Sequence, residues 1–242
     1  MKRLLWIAAT TLLLAPVAQA QPKIPTAIAT AVADKGRPGV DTYRDDRRKP
    51  AETLVFAGVT TGMTVAELIP GIGYFTRILS KAVGPTGRIY TVPFSEPRAS
   101  YSKALAADPA YANVTLIGGP PLSVGVPQPV DMVWTAQNYH DIRQGRALLN
   151  KAVFDALKPG GTYFIIDHSA VAGADEGVLL SLHRIDEAVV KREVLAAGFV
   201  LEAESDLLRN PADKRGQMVF DREVNRNTDQ FILKFKKPAA PK

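Results

Sequence analysis

The chain has 242 residues, of which 46% are hydrophobic and 22% charged, a composition typical of a globular protein that buries one core. It contains no cysteine, which excludes disulfide bonds and catalysis by a thiol. The formal net charge is +6, but the basic residues are spread along the chain, so we expect no nucleic-acid partner.

The first 20 residues have the features of an export signal. Lys2 and Arg3 precede an apolar run over 4–17, and a small-x-small cleavage sequence follows at 18–20. The run is shorter than the roughly 20 residues that a membrane-spanning helix needs, so we expect no stable membrane anchor. The sequence therefore predicts a signal peptide over 1–20, cleavage after Ala20 and a periplasmic or secreted mature protein.

The rest of the chain divides into an arm and one domain. Residues 21–40 are rich in alanine, proline, glycine and lysine without a clear period, which predicts a flexible N-terminal arm. Residues 41–242 are predicted to form a single domain. No feature of the sequence defines its oligomeric state.

Within this domain, short apolar segments alternate with segments of helical spacing. The predicted strands cover 63–68, 88–92, 114–117, 130–135, 162–167, 199–205 and 231–235, and the predicted helices cover 50–56, 74–83, 101–107, 147–157 and 177–196. Because neighbouring parallel strands need crossover connections, this alternation favours a mainly parallel sheet covered by helices, closed by an antiparallel pair.

A glycine-containing loop connects the first predicted strand to the first helix of this alternation. It reads Glu67-Leu-Ile-Pro-Gly-Ile-Gly73, and Tyr74 begins the helix. Glycine lets the backbone approach a ligand closely, and a helix N-terminus favours polar or anionic groups. The loop therefore predicts a nucleotide-type binding site.

Two further segments make the pattern more specific: Val83-Gly-Pro-Thr-Gly before the second strand, and Phe154-Asp-Ala-Leu-Lys-Pro-Gly-Gly before the fifth. Over residues 50–170 the chain resembles the class I S-adenosylmethionine-dependent methyltransferases. Arg48-Lys-Pro-Ala-Glu and Asn138-Tyr-His-Asp are similar to a group of exported, predicted bacterial methyltransferases.

The resemblance implies a Rossmann-like, doubly wound three-layer α/β sandwich with a seven-stranded, mainly parallel sheet and a final antiparallel strand. It also implies S-adenosylmethionine as the cofactor and a small-molecule or unknown methyl acceptor. The residues that would bind the cofactor are Glu67, Pro70, Gly71, Gly73, Tyr74 and Glu96.

The chain departs from the family at three positions. Ile69 replaces the first glycine of the family's acid-x-Gly-x-Gly-x-Gly loop. The second strand ends in Val92-Pro93 where the family usually has an acid for the ribose, and Glu96 is the nearest substitute. Gly118-Gly119 follow the third strand, where an acid or amide often meets adenine. A non-catalytic protein that binds a small ligand on the same scaffold is therefore the alternative.

The sequence contains three histidines, two of which follow predicted strands. His140 follows the fourth strand and His168 the fifth, so both are expected at the carboxyl edge of the sheet, where ligands bind. Asp141 is adjacent to His140 in sequence, and Asp167 is adjacent to His168. The interpretations are a general base for the acceptor, substrate recognition, a metal-assisted hydrolase site, or polar residues that complete loops. No dense ligand spacing indicates a metal, and none is predicted.

In the resembling enzymes, residues at Asn138 and Tyr139 line the methyl-transfer site. Asn138 could offer an acceptor and donors to a substrate, and Tyr139 could pack beside the charged sulfur of the donor. The predicted catalytic residues are therefore Asn138, Tyr139, His140 and His168.

Three other features complete the sequence predictions. The charged segment 44–50 is either solvated or, as in the resembling group, folded over the cofactor cleft. His183 is predicted to be a surface or packing residue of a helix, and if it faced the cleft its neighbour Arg184 could help bind an anionic group. Trp134 is predicted to lie in the core.

Overall fold

The computed structural model describes residues 23–119, 122–224 and 227–239, without the side chains of 96–98. The predicted signal peptide and its cleavage site lie outside these residues. In the described part of the chain, no helix is both long enough and apolar enough to cross a membrane.

Seven strands form one sheet in the order β3-β2-β1-β4-β5-β7-β6. The strands are β1 (Thr64–Leu68), β2 (Arg88–Val92), β3 (Val114–Leu116), β4 (Val130–Ala136), β5 (Leu157–His168), β6 (Val200–Ser205) and β7 (Gln230–Lys236). The first five strands pair in parallel, and β7 runs antiparallel between β5 and β6. This arrangement confirms the predicted fold class.

Helices cover both faces of the sheet. They are α1 (Thr26–Val32), α2 (Gly39–Thr42), α3 (Asp45–Arg48), α4 (Pro50–Ala57), α5 (Tyr74–Val83), α6 (Glu96–Ala107), α7 (Arg146–Ala156), α8 (Gly177–Ser181) and α9 (Glu187–Ala196). One apolar core joins α1, α4 and α5 to the sheet, and the other joins α7 and α9 to it. Trp134 is fully buried in the first core, as predicted.

The prediction of a flexible arm over 21–40 is wrong for the part of it that the structure describes, residues 23–40. Residues 26–32 form α1, and the helix packs against α5. Ile28 and Ala31, three residues apart on one helical face, are both buried in the core. This face is too short to give a clear periodic signal in an alanine-rich sequence.

The single long helix predicted over 177–196 is also wrong. The chain breaks between α8 and α9, where His183 adopts a left-handed backbone with φ of 53°. The N–H of Ile185 donates to the carbonyl of His168 at 3.0 Å, which adds a short parallel bridge beside the end of β5. This bridge turns His183 toward the edge of the sheet where the other two histidines lie.

Candidate active site

The carboxyl ends of β1, β4 and β5 bring the predicted site residues to one edge of the sheet. From β1, the strand order continues to β2 on one side and to β4 on the other. Such a switch point opens a crevice between the loops that follow the strands, and open α/β sheets bind ligands there. The loops after β1 and β4 contain the glycine sequence and the Asn138 segment.

The loop after β1 keeps the left-handed turn that the missing glycine would favour. Ile69 has φ of 49°, a conformation that costs a non-glycine residue roughly 1–2 kcal/mol. Two hydrogen bonds hold it: its N–H donates to the carbonyl of Val92 at 3.0 Å, and Asn138 Nδ2 donates to its carbonyl at 2.9 Å. The surrounding strands therefore impose the turn despite the side chain.

The two glycines of the loop have different roles. A Cβ at Gly71, which has φ of 58°, would meet nothing within 4 Å. A Cβ at Gly73 would lie 2.3 Å from a methyl carbon of Leu105. Gly71 thus leaves space for a ligand beside the backbone, whereas Gly73 allows α5 to begin close to α6.

Glu67 is the buried acid of the loop, with its side chain bordering a cavity of about 110 Å³ next to Pro70 and Gly71. Its Oε2 accepts a hydrogen bond from Thr76 Oγ1 at 2.6 Å. Burial raises the pKa of Glu67 to about 8, although the Thr76 hydroxyl and the nearby Arg48 act in the opposite direction. The carboxyl is therefore largely protonated at neutral pH.

The segment 44–50 lies over this cavity, as the resemblance implied. The guanidinium of Arg48 lies 4.4 Å from the ring centroid of Tyr74 and donates to Gln137 Oε1. Asp45 anchors the segment, because it pairs with the buried Arg37 at 2.7 Å and accepts the Tyr74 hydroxyl at 2.6 Å. Tyr74 therefore forms the floor beneath Arg48.

Further cavities follow the same edge of the sheet. A cavity of about 670 Å³ shares Arg48 and Asn138 with the small one and extends to His140 and His168. On the other side of Ile69, cavities of about 460 Å³ and 610 Å³ reach Phe94 and the Gly118-Gly119 pair. The edge thus has room for an elongated ligand and for a second molecule beside it.

His140 is fixed by a buried carboxylate. Asp167 accepts His140 Nδ1–H at 2.7 Å with one oxygen and the His140 backbone N–H at 2.8 Å with the other. Burial alone would raise the pKa of Asp167, but the attraction of His140 outweighs burial and the pKa is lowered. Because the ionised carboxylate only accepts hydrogen bonds, Nδ1 carries the hydrogen. Nε2 then faces Asp141 Oδ1 at 3.5 Å.

His168 lines the same cavity as His140, and their ring centroids are 5.8 Å apart. Its Nδ1 lies 2.6 Å from the hydroxyl of Thr228. Burial lowers the pKa of His168 to about 3, and the nearby Asp167 only partly compensates. This imidazole is therefore neutral at physiological pH and can act as a hydrogen-bonding group.

His183 joins the cluster, which the sequence did not predict. Its Nδ1 lies 3.4 Å from Asp141 Oδ1, and its ring stands perpendicular to that of His140 with centroids 5.4 Å apart. The helical spacing of 177–196 hid this position. Its neighbour Arg184 does not face the cleft: it is fully buried and pairs with Asp213 at 2.8 Å.

Two of the predicted catalytic side chains have other contacts. Tyr139 is fully buried in the core, where its hydroxyl donates to Glu193 at 2.9 Å and accepts from Asn150 at 2.8 Å, so it does not line the cleft. Asn138 uses its amide N–H groups to hold the carbonyls of Ile69 and Ala136, and only its amide oxygen is available to a ligand. The Glu96 side chain lies outside the described residues.

Comparison with known proteins gives the class to which the fold belongs. No protein-family model matches the chain. A methyltransferase structure from Aquifex aeolicus, described as dependent on S-adenosylmethionine, superposes with a TM-score of 0.61 at 19% identity, covering 84% of this chain and 99% of that one. The fold is that of the class I S-adenosylmethionine-dependent methyltransferases.

Two curated relatives are also named as methyltransferases. A demethylmenaquinone methyltransferase of Lactococcus lactis is 29% identical over 120 residues, which are 49% of this chain and 47% of the relative. A protein-L-isoaspartate O-methyltransferase of Methanosarcina mazei is 33% identical over 108 residues, 43% of this chain and 40% of the relative. The chain therefore spans about half the length of the curated relatives it matches.

Proposed function

We propose that this protein is an S-adenosylmethionine-dependent methyltransferase that acts on a small-molecule acceptor. The observation that carries the proposal is the adjacency of two cavities. The cavity between the Glu67–Gly73 loop and Arg48 shares Arg48 and Asn138 with the larger cavity, which reaches His140 and His168. A donor on the loop would thus present its methyl group toward a second, adjacent space.

The residues around the loop fit the charged end of such a donor. Its carboxylate needs a cation, and Arg48 lies on one side of the small cavity. Its ammonium needs an anion, and Glu67 borders the same cavity; an ammonium beside it would favour the ionised carboxylate. Gly71 leaves the backbone accessible between them. The cavities beside Phe94 and Gly118 would accept the adenosine end.

The bound donor supplies an electrophilic methyl group, and the chain aligns the acceptor against it. Alignment is the main requirement of such a displacement. Asn138 presents an amide oxygen to a donor group of the acceptor, and His140, whose ring Asp167 holds in place, lines the cavity in which the acceptor would lie. The neutral His168 can form a further hydrogen bond in the same cavity.

Calorimetric titration with S-adenosylmethionine and S-adenosylhomocysteine tests the proposal. We expect both to bind with dissociation constants in the micromolar range, roughly −8 kcal/mol. Gly71→Arg should abolish binding because the new side chain fills the open side of the loop. Gly173→Arg is the matched control, since Gly173 is exposed, has a similarly left-handed φ of 75°, and a Cβ there meets nothing within 4 Å.

The titration, combined with a turnover assay, also distinguishes the methyltransferase from the non-catalytic alternative. Tight binding of the donor without turnover across a broad set of acceptors would favour a non-catalytic small-ligand-binding protein, for which the absent acids at Pro93 and Gly119 are the support. Absence of heat with either ligand, for folded protein, would contradict the donor site itself.

We further propose that the domain acts after export. The basic residues at 2–3, the apolar run over 4–17 and the Ala18–Ala20 sequence support this proposal. Cell fractionation with N-terminal sequencing of the mature protein tests it. A first residue of Gln21 in an extracytoplasmic fraction is expected, and a cytoplasmic protein that retains residues 1–20 would contradict it.

A further inference from the structure

We propose that His140, Asp141 and His183 form a binding site for one divalent transition-metal ion, with zinc as the preferred ion. Each residue offers one ligand atom, and the three atoms lie within 4.8 Å of one another. Two imidazole nitrogens and one carboxylate oxygen form a ligand set typical of zinc sites that keep a position open.

The separations fit the coordination of zinc. Ligands at about 2.0–2.1 Å in a tetrahedron lie roughly 3.3–3.4 Å from one another. Asp141 Oδ1 is 3.5 Å from His140 Nε2 and 3.4 Å from His183 Nδ1. The two imidazole nitrogens, which lie within 4.8 Å of one another, would move closer to complete the set, and the His183 side chain is 26% exposed.

The contact of Asp167 with His140 is a second observation that points to a metal. Metal-binding histidines usually donate their other ring N–H to a carboxylate, which fixes the tautomer and orients the ring. Asp167 is fully buried, accepts both Nδ1–H and the backbone N–H of His140, and therefore directs Nε2 toward Asp141.

The backbone at His183 positions its side chain. Its φ of 53° is left-handed, a conformation that histidine adopts more readily than most residues with a side chain. The strand-like bridge at Ile185 and the hydrogen bond from Val219 N–H to Leu182 hold the turn on both sides of His183. These bonds place its imidazole against Asp141.

This inference rests on the proposed function for its chemical role, although metal binding itself does not. The 670 Å³ cavity is lined by His140 and Asp141, so an open coordination position would face the acceptor. A hydroxyl or thiol bound there would lose its proton to solvent more readily. The resulting anion would form the new bond to the methyl carbon, while the electrons of the breaking carbon–sulfur bond return to the donor sulfur. The acceptor class is therefore one with an oxygen or sulfur nucleophile.

Cobalt substitution tests the site without any donor or acceptor. The full chain is treated with a chelator, checked for folding by circular dichroism and titrated with Co²⁺, then with Zn²⁺ as competitor. We expect the visible absorption of a low-coordinate cobalt site, saturating at one ion per chain and abolished by zinc. His183→Ala and Asp141→Asn should each weaken binding at least about 100-fold, and Asp167→Asn about 10–100-fold.

Asp155→Asn is the matched control, because Asp155 is an exposed residue of α7 that pairs only with Lys151 among the described contacts. It should bind cobalt like the unaltered chain. Absence of saturable binding to folded protein would overturn the proposal, as would equal binding by the His183→Ala and Asp141→Asn variants. Calorimetric donor binding is measured separately, so a chain that binds donor but no metal refutes the metal site alone, and the reverse refutes the methyltransferase proposal alone.

Discussion

Glu67 shows how one buried side chain links the cleft to stability. Its carboxyl has a pKa of about 8 in the folded chain, against 4.5 for an unperturbed side chain, because burial disfavours the charge. Between these values the folded chain holds a proton that the unfolded chain has released. The free energy of unfolding therefore decreases as pH rises from about 4.5 to about 8, by a contribution on the order of a few kcal/mol.

Glu67→Gln should remove this contribution, because glutamine has the same shape and does not ionise. We expect the variant to lose less stability than the unaltered chain between pH 5 and pH 8 in denaturant unfolding experiments. Glu202→Gln, at a partly exposed position on β6, is the control and should leave the pH dependence in place. Parallel pH profiles for the unaltered chain and Glu67→Gln would show that the carboxyl is already ionised in the fold.

At the scale of an element, α1 connects the N-terminal segment to the site. Ile28 is 2% exposed and contributes to the core beneath α5, which begins at the glycine loop. Ile28→Ala should cost roughly 2–4 kcal/mol of unfolding free energy, since it leaves a cavity in that core. Ile24→Ala is the matched control: at 37% exposure, it should cost about 0.5 kcal/mol or less.

Chemical denaturation of the two variants measures this difference. A small, equal effect of both substitutions would mean that α1 does not contribute to the core and that the flexible arm predicted from the sequence was correct after all. A large loss of stability in Ile28→Ala alone would also indicate that α1 is a folded anchor for the segment 44–50. The ion pair between Arg37 and Asp45 holds the same segment.

The elements that the sequence predicted correctly are those with long, regular patterns. The strands and α5 have apolar positions at a clear period, bounded by glycine and proline, and they are found near their predicted bounds except for β5, which begins at Leu157 rather than at residue 162. Helix α1 was missed because two buried residues in an alanine-rich segment form only a weak pattern. The break at His183 was missed because backbone hydrogen bonds to β5 and to residue 219, distant in sequence, override the local helical spacing.

At the scale of the whole molecule, topology brings the site together. His140, His168 and His183 are separated by up to 43 positions in sequence, yet the parallel order of β4 and β5 and the bridge at Ile185 bring them to one edge. The sequence predicted the first two from their places after strands. The sequence could not predict that the side chain of Tyr139, adjacent to His140, points into the core. The partners that hydrogen-bond its hydroxyl, Asn150 and Glu193, lie on α7 and α9, distant in sequence.

The most direct test of the account is a crystal structure of the chain with S-adenosylhomocysteine. We predict the ligand along the carboxyl edge of the sheet, with its carboxylate at Arg48, its backbone contact at Gly71 and its adenosine toward Gly118. The sulfur should face the cavity that contains Asn138 and His140. A ligand bound away from the Glu67–Gly73 loop, or a cleft that stays empty at saturating ligand, would contradict the methyltransferase assignment.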